Sequence, residues 1–103
     1  MLSPERAVIA ETARQFPSQE WQAATDLLAQ LRLPLLDGAN RSLDRARVKL
    51  AILILSVGDL ARLRHWTEQA MTDWRDVLVA AGLANANWQQ VLAGAGYAVP
   101  RND

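Results

Sequence analysis

The stretch from Val48 to Val57, VKLAILILSV, is apolar at every position except Lys49 and Ser56. It lies within a segment, residues 42–57, that has the apolar spacing of a helix. A helix that is apolar all round has no side to expose to water, so it must lie at the centre of its domain or against a partner. We therefore expect this helix to organise the fold.

The helix has two apolar faces. Its main face consists of Leu43, Ala46, Leu50, Leu53, Ile54 and Val57, and the opposite face of Val48, Ile52 and Leu55. Either other helices of the same chain cover the second face, or it is exposed and forms a two-fold homodimer interface. The sequence leaves both alternatives open.

Two helices are predicted before this segment. Ser3-Pro4-Glu5 has the residues of a helix start, and Pro17 predicts the end of the first helix near residue 15 or 16. A second helix is predicted over 18–31, with Ser18 as its cap, and Ser42 is the predicted cap of the third. The predicted buried stripe of the first helix comprises Val8, Ile9, Thr12, Ala13 and Phe16. The loop over residues 33–40 carries three leucines and is expected to lie on the core.

After the central helix, Gly58 predicts a left-handed helix end and Asp59 the cap of the next helix. The apolar positions that follow keep one helical phase to Gly82, which predicts a long helix near 59–81. The alternative is a break at Thr72 or Asp73, where Asp73 would cap a new helix. A short last helix is predicted over 88–93, capped by Asn87. A loose tail is predicted over 97–103, with the packing of Tyr97 and Val99 back on the bundle as the alternative.

These patterns predict an all-α fold. No segment alternates apolar and polar residues over the length of a strand. The 103 residues suit a single domain, 1–103, built as one compact bundle of about five helices.

Composition excludes several classes of function. Eleven basic residues balance eleven acidic ones, so the chain lacks the positive field of a non-specific nucleic-acid binder. It contains no cysteine, which removes disulfides, thiolate nucleophiles and cysteine-ligated metals. The longest apolar run, residues 50–55, is far shorter than the roughly 20 residues that span a bilayer. The prediction is a cytoplasmic protein without a cofactor.

The residues that could carry chemistry are few. His65 is the only histidine, and we interpret it as a solvated side chain, paired with Glu68 one turn later. Asp73, Arg75 and Asp76 form the densest charged cluster, yet two carboxylates are far fewer than the about six oxygen ligands that Ca²⁺ or Mg²⁺ requires. We interpret this cluster as structural, and we predict neither a metal site nor an enzyme.

The surface offers one further candidate. Trp66 follows Arg62 by one turn, where a cation–π contact or a half-buried ring is expected. A tryptophan beside arginines is typical of a protein-binding hot spot. Basic residues begin the third helix and continue on the fourth, and they suggest a nucleic-acid-binding face: Arg41, Arg45, Arg47, Lys49, Arg62 and Arg64. The third helix, however, becomes apolar all round after Val48 and lacks the polar, basic outer surface of a DNA recognition helix.

A pattern in the middle of the chain resembles that of a known group. Its segments are Arg47-Val48-Lys49-Leu50-Ala51, Gly58-Asp59-Leu60 and Asp73-Trp74-Arg75-Asp76-Val77-Leu78. It is similar to that of small uncharacterised bacterial helical proteins. The resemblance implies a bacterial origin and an all-helical fold, and it carries no activity, ligand or partner.

Together these observations predict a protein that acts through protein–protein contact, either as a homodimer or as an accessory subunit of another bacterial protein. The candidate interface residues are Val48, Ile52, Leu55, Arg62 and Trp66. The alternatives are a small nucleic-acid-binding regulator and an enzyme of unknown type that uses Asp73, Asp76 or His65.

Overall fold

The central segment forms α3, Ser42–Ser56, in a computed structural model that describes residues 2–33, 36 and 41–101. The other helices are α1 (Pro4–Gln15), α2 (Ser18–Ala29), α4 (Leu60–Ala81) and α5 (Trp88–Gly94). The largest contact between helices is that of α3 with α4. α1 packs on α3, and α2 packs on α4 and α1. The described part of the chain contains no strand beyond a single bridge between Leu2 and Pro100. The all-α prediction is confirmed.

The chain buries α3 on both of its faces. Leu50 and Leu53 on the main face are fully buried, and so are Val48 and Ile52 on the opposite face. Leu55 is half-buried and packs against the same core. The alternative of an exposed interface strip is therefore wrong for Val48 and Ile52, because the helices of one chain already cover them.

The helix starts follow the capping chemistry, with two small shifts. The Ser3 hydroxyl accepts from the Arg6 N–H at 3.3 Å before α1, and the Asp59 carboxylate accepts from the Arg62 N–H at 3.1 Å before α4. The predicted caps Ser18 and Ser42 are each the first helical residue instead, after Pro17 and Arg41. Asn87 precedes α5 without a side-chain capping bond.

The corner between α3 and α4 takes two left-handed residues in place of the single predicted glycine. Val57 has a φ of 45° and Gly58 a φ of 77°. A Cβ atom on Gly58 would lie 2.9 Å from the Gln15 carbonyl oxygen, so the corner and the end of α1 touch through backbone. Val57 is β-branched and rarely adopts this conformation, and its side chain is 65% exposed.

The predicted long helix is interrupted at Asp73. This residue has φ −155° and ψ 97°, and helical residues lie on both sides of it. Its carboxylate oxygen accepts from the Arg75 N–H at 3.0 Å. The alternative of a break at this position is confirmed, and Asp73 caps the helical residues that follow.

The loop after α2 was expected to lie on the core, and its residues Leu33 and Leu36 are buried. Residues 34, 35 and 37–40 lie outside the described residues. The predicted loose tail is wrong for 97–101, whereas the alternative is confirmed, because Tyr97 and Val99 pack against the core. The Arg101 N–H donates to the Leu2 carbonyl at 3.0 Å, and the Gln89 amide donates to the Pro100 carbonyl at 2.7 Å.

We expect Ile52→Ala to lower the free energy of unfolding by about 2–5 kcal/mol, because the substitution leaves a cavity beside a fully buried helix. Urea unfolding followed by circular dichroism measures the change. The control is Val79→Ala at a 67% exposed position, where a change within about 0.5 kcal/mol is expected. Equal losses for the two variants would contradict the central burial of α3.

We expect Val57→Gly to raise the free energy of unfolding by about 1 kcal/mol, because glycine adopts the left-handed conformation without the steric cost that valine bears. Thermal unfolding measures it. Gly58→Ala is the matched variant at the next position, and it should destabilise because its methyl group meets the Gln15 carbonyl. A Val57→Gly variant less stable than the wild type would contradict the strain at this corner.

Candidate functional site

The ring of Trp66 contacts His65 and not Arg62, the neighbour that the sequence predicted. Trp66 is half-buried and packs against the core, and the edge contact of its ring is with His65, with centroids 5.1 Å apart. The cation–π contacts of the described residues involve Arg14, Arg47 and Arg75 instead of Arg62. Trp66 is thus the half-buried residue that the sequence also allowed.

The other candidate polar residues stay on the surface. His65 is exposed, and the ion pairs found among the described residues do not include one with Glu68. Asp73, Arg75 and Asp76 are exposed as well. The Arg75 guanidinium lies 5.4 Å from the centre of the Trp74 ring. Within the described part of the chain, no three His, Asp or Glu side chains gather as a metal site would require.

A buried carboxylate that the sequence did not single out lies on α1. Glu11 is 1% exposed, and it accepts hydrogen bonds from Arg14 Nε at 2.9 Å, Gln15 Nε2 at 3.0 Å and the Ala98 N–H at 3.3 Å. The hydrogen bond from Arg14, and then the attraction of the two charges, raises the pKa of the Arg14 guanidinium above its ordinary value. The Arg14 guanidinium also lies 5.4 Å from the centre of the Tyr97 ring. Glu11 therefore fastens the C-terminal segment to α1.

Arg47 makes a second link across the fold. Its Nε donates to the Leu83 carbonyl at 2.8 Å and its Nη2 to the Asn85 carbonyl at 3.3 Å. The guanidinium lies 5.3 Å from the centre of the Trp88 ring, and burial lowers the pKa of Arg47. Arg41 in turn pairs with Asp44 at 3.1 Å. Two of the basic residues that suggested a nucleic-acid surface are thus engaged in intramolecular contacts.

The concave site of interest is a groove between α1, α2 and the start of α3. Its volume is about 300 Å³. The apolar lining, which we call the groove floor, consists of Val8, Ile9, Leu28, Ala29 and Ala46. The prediction that Ile9 belongs to the core is wrong, because it is 52% exposed and stands at the edge of this groove.

Charged side chains border the groove floor on two sides. Glu5 lies on the α1 side, and Arg45 and Lys49 lie one turn apart on the α3 side. The Arg45 guanidinium donates to the Leu36 carbonyl at 2.7 Å, so its position is fixed by the chain. The hydroxyls of Thr12 and Thr25 also line the groove, and both donate to carbonyls of their own helices, at 2.8 Å each.

The fold and groove define the class of this chain as a small helical bundle with an apolar surface groove. Searches against protein-family models, curated proteins and solved structures found no significant match. Among the described residues, every helix is too short or too polar to cross a membrane.

We expect Glu11→Ala to lower the free energy of unfolding by about 2 kcal/mol, because the Ala98 N–H and the Gln15 amide lose a charged acceptor. Hydrogen exchange should accelerate more at the Ala98 N–H than at the amides of α3, and NMR measures the exchange rates at both places. Glu5→Ala is the control, since this exposed glutamate lies on the same helix. Unchanged exchange at Ala98 in Glu11→Ala would contradict the fastening of the tail by this carboxylate.

Proposed function

We propose that this protein acts by binding another protein, and that the groove receives apolar side chains from a helix of that partner. The observation that carries the proposal is the groove floor, of which Ile9 is a large apolar side chain that is 52% exposed. A concave apolar surface with a charged border is the arrangement in which buried anchor residues contribute most of the binding free energy.

The size of the groove fits a few apolar side chains of a protein helix better than a drug-sized small molecule. Its volume of about 300 Å³ stands at the lower end of the range of roughly 300–1,000 Å³ for small-molecule pockets. Along α1 the lining runs from Pro4 to Thr12, which is roughly 12 Å at the helical rise of about 1.5 Å per residue. That length accommodates two turns of a helix, and hence a pair of apolar residues three or four positions apart.

The charged border would orient such a helix. Glu5 on the α1 side favours a basic residue on the flank of the partner helix that faces α1. A helix docked in the reverse direction would not bring that basic residue to Glu5. These charges contribute to specificity and to the rate of association more than to affinity.

The setting we propose is that of an accessory protein in the bacterial cytoplasm. The support for a bacterial origin is the resemblance of the segments around Arg47, Gly58 and Asp73 to those of small bacterial helical proteins. The support for a binding role is the groove alone.

The test is site-specific photo-crosslinking in the host cell, with a benzophenone amino acid in place of Ile9. We expect a discrete crosslinked protein, because the side chain at this position faces the docked helix. The same amino acid in place of Val79, which is 67% exposed outside the groove, is the control and should not give that product.

A blocking variant then decides whether the groove is the contact. Ala29→Arg puts a long side chain over the groove floor at an exposed position. The control, Ala80→Arg, puts the same side chain at an exposed position on α4, outside the groove. Binding of the crosslinked partner, measured by calorimetry with purified proteins, should weaken about tenfold or more in Ala29→Arg only, which is the effect of losing about 1.4 kcal/mol. Equal affinity of the two variants would overturn the proposal.

A further inference from the structure

A single residue divides α4 into two parts. Asp73 is extended, with φ −155° and ψ 97°, whereas the residues before and after it are helical. No proline or glycine occurs between Leu60 and Ala81, and the apolar residues on the two sides of Asp73 keep the spacing of one uninterrupted helix. The sequence of α4 is therefore compatible with a broken helix and with a continuous one.

The break is held by local contacts at the surface. The Asp73 carboxylate accepts from the Arg75 N–H at 3.0 Å, and the Arg75 guanidinium lies over the ring of Trp74. Asp73 and Arg75 are both exposed. A cap of this kind favours the break only modestly, so a small change at Asp73 is enough to alter the preference for it.

The break separates two parts of the chain that are joined by many specific contacts. We call residues 2–72 the N-terminal lobe and residues 74–101 the C-terminal lobe. Arg47 of the N-terminal lobe binds the carbonyls of Leu83 and Asn85. Glu11 accepts from the Ala98 N–H, and these contacts lie between the lobes.

The C-terminal lobe is also tied together internally. The Gln89 side chain of α5 donates to the Pro100 carbonyl at 2.7 Å, which joins α5 to the tail. The apolar side chains of this lobe are buried in the common core, and they are Val77, Leu78, Leu83, Trp88 and Leu92. A lobe with so much apolar surface must cover it on an N-terminal lobe, either its own or that of another chain.

We propose that α4 straightens at Asp73 and that the C-terminal lobe then docks on the N-terminal lobe of a second copy, giving a two-fold, domain-swapped dimer. Each contact of Arg47 and Glu11 is made again between chains. Because the exchanged contacts are identical, the balance between monomer and dimer depends on the hinge and on the entropy of association. The continuous α4 of 22 residues would be roughly 33 Å long at the helical rise of about 1.5 Å per residue.

The first experiment compares Asp73→Ala with Asp76→Ala by size-exclusion chromatography with light scattering. Both variants remove one exposed aspartate from α4, but only Asp73 caps the break. Loss of a cap changes an equilibrium by about fivefold, and a swapped dimer contains two hinges. The dimer association constant of Asp73→Ala should therefore rise about 25-fold, while Asp76→Ala behaves like the wild type.

The second experiment shows whether the dimer is swapped, and it uses the absence of cysteine from the chain. Leu2 and Pro100 are bridge partners, close enough for a disulfide. One chain carries Leu2→Cys and a long tag, and the other carries Pro100→Cys and a short tag. The two are unfolded together, refolded at millimolar concentration and oxidised. Circular dichroism establishes that each variant is helical.

A covalent heterodimer that joins the Leu2→Cys chain to the Pro100→Cys chain, of intermediate mass on a non-reducing gel, is the expected product. It should increase when both chains also carry Asp73→Ala. If Asp73→Ala fails to fold, the refolded pair without that change still decides the matter. Absence of the heterodimer from refolded chains overturns the proposal, as does an Asp73→Ala dimer without this crosslink.

Discussion

The burial of α3 on both faces is the constraint on which the rest of the structure depends. Val48, Leu50, Ile52 and Leu53 are all fully buried, so helices must cover α3 from more than one side. α4 makes the largest contact with it, and α1 packs on it as well. Apolar burial contributes about 25 cal/mol per Å², and α3 supplies more fully buried apolar residues than any other helix, with Val48, Leu50, Ala51, Ile52 and Leu53 all at 0% exposure.

The same constraint explains how polar groups of α3 are accommodated. Ser56 is fully buried, and its hydroxyl donates to the Ile52 carbonyl at 2.6 Å, which satisfies it within the helix. Arg47 carries its charge to the edge of the core, where its guanidinium meets two carbonyls and an indole ring. An arginine has enough donors to satisfy several carbonyls that a turn leaves unpaired. The helix therefore adds few unsatisfied groups to the core.

Much of the fold could be predicted from the sequence because its signals are local. Proline at residues 4 and 17, and aspartate at residue 59, set helix boundaries through their own backbone and side-chain chemistry. The break at Asp73 was harder, because the apolar phase runs through it and only the capping potential of the aspartate indicated it. The left-handed Val57 gave no local signal, since valine ordinarily avoids this conformation.

The groove and the Glu11 cluster could not be predicted because both depend on long-range contacts. Ile9 has the phase of a core residue in α1, and only the positions of α2 and α3 leave it at an open edge. The helical spacing of α1 does not mark Glu11 as a special residue, and its partner Ala98 lies 87 positions away in the sequence. Helical periodicity reports which face a helix buries, but it does not report where three helices fail to meet.

The bridge between Leu2 and Pro100 brings the two ends of the described chain together. Segments attached at these two positions would leave the molecule from one place. A domain of this form can be inserted into a surface loop of a larger protein, because the host loop need not stretch to span it and closing it costs little entropy. The helical bundle would then serve as a self-contained module that adds a groove to its host without disturbing the path of the host chain.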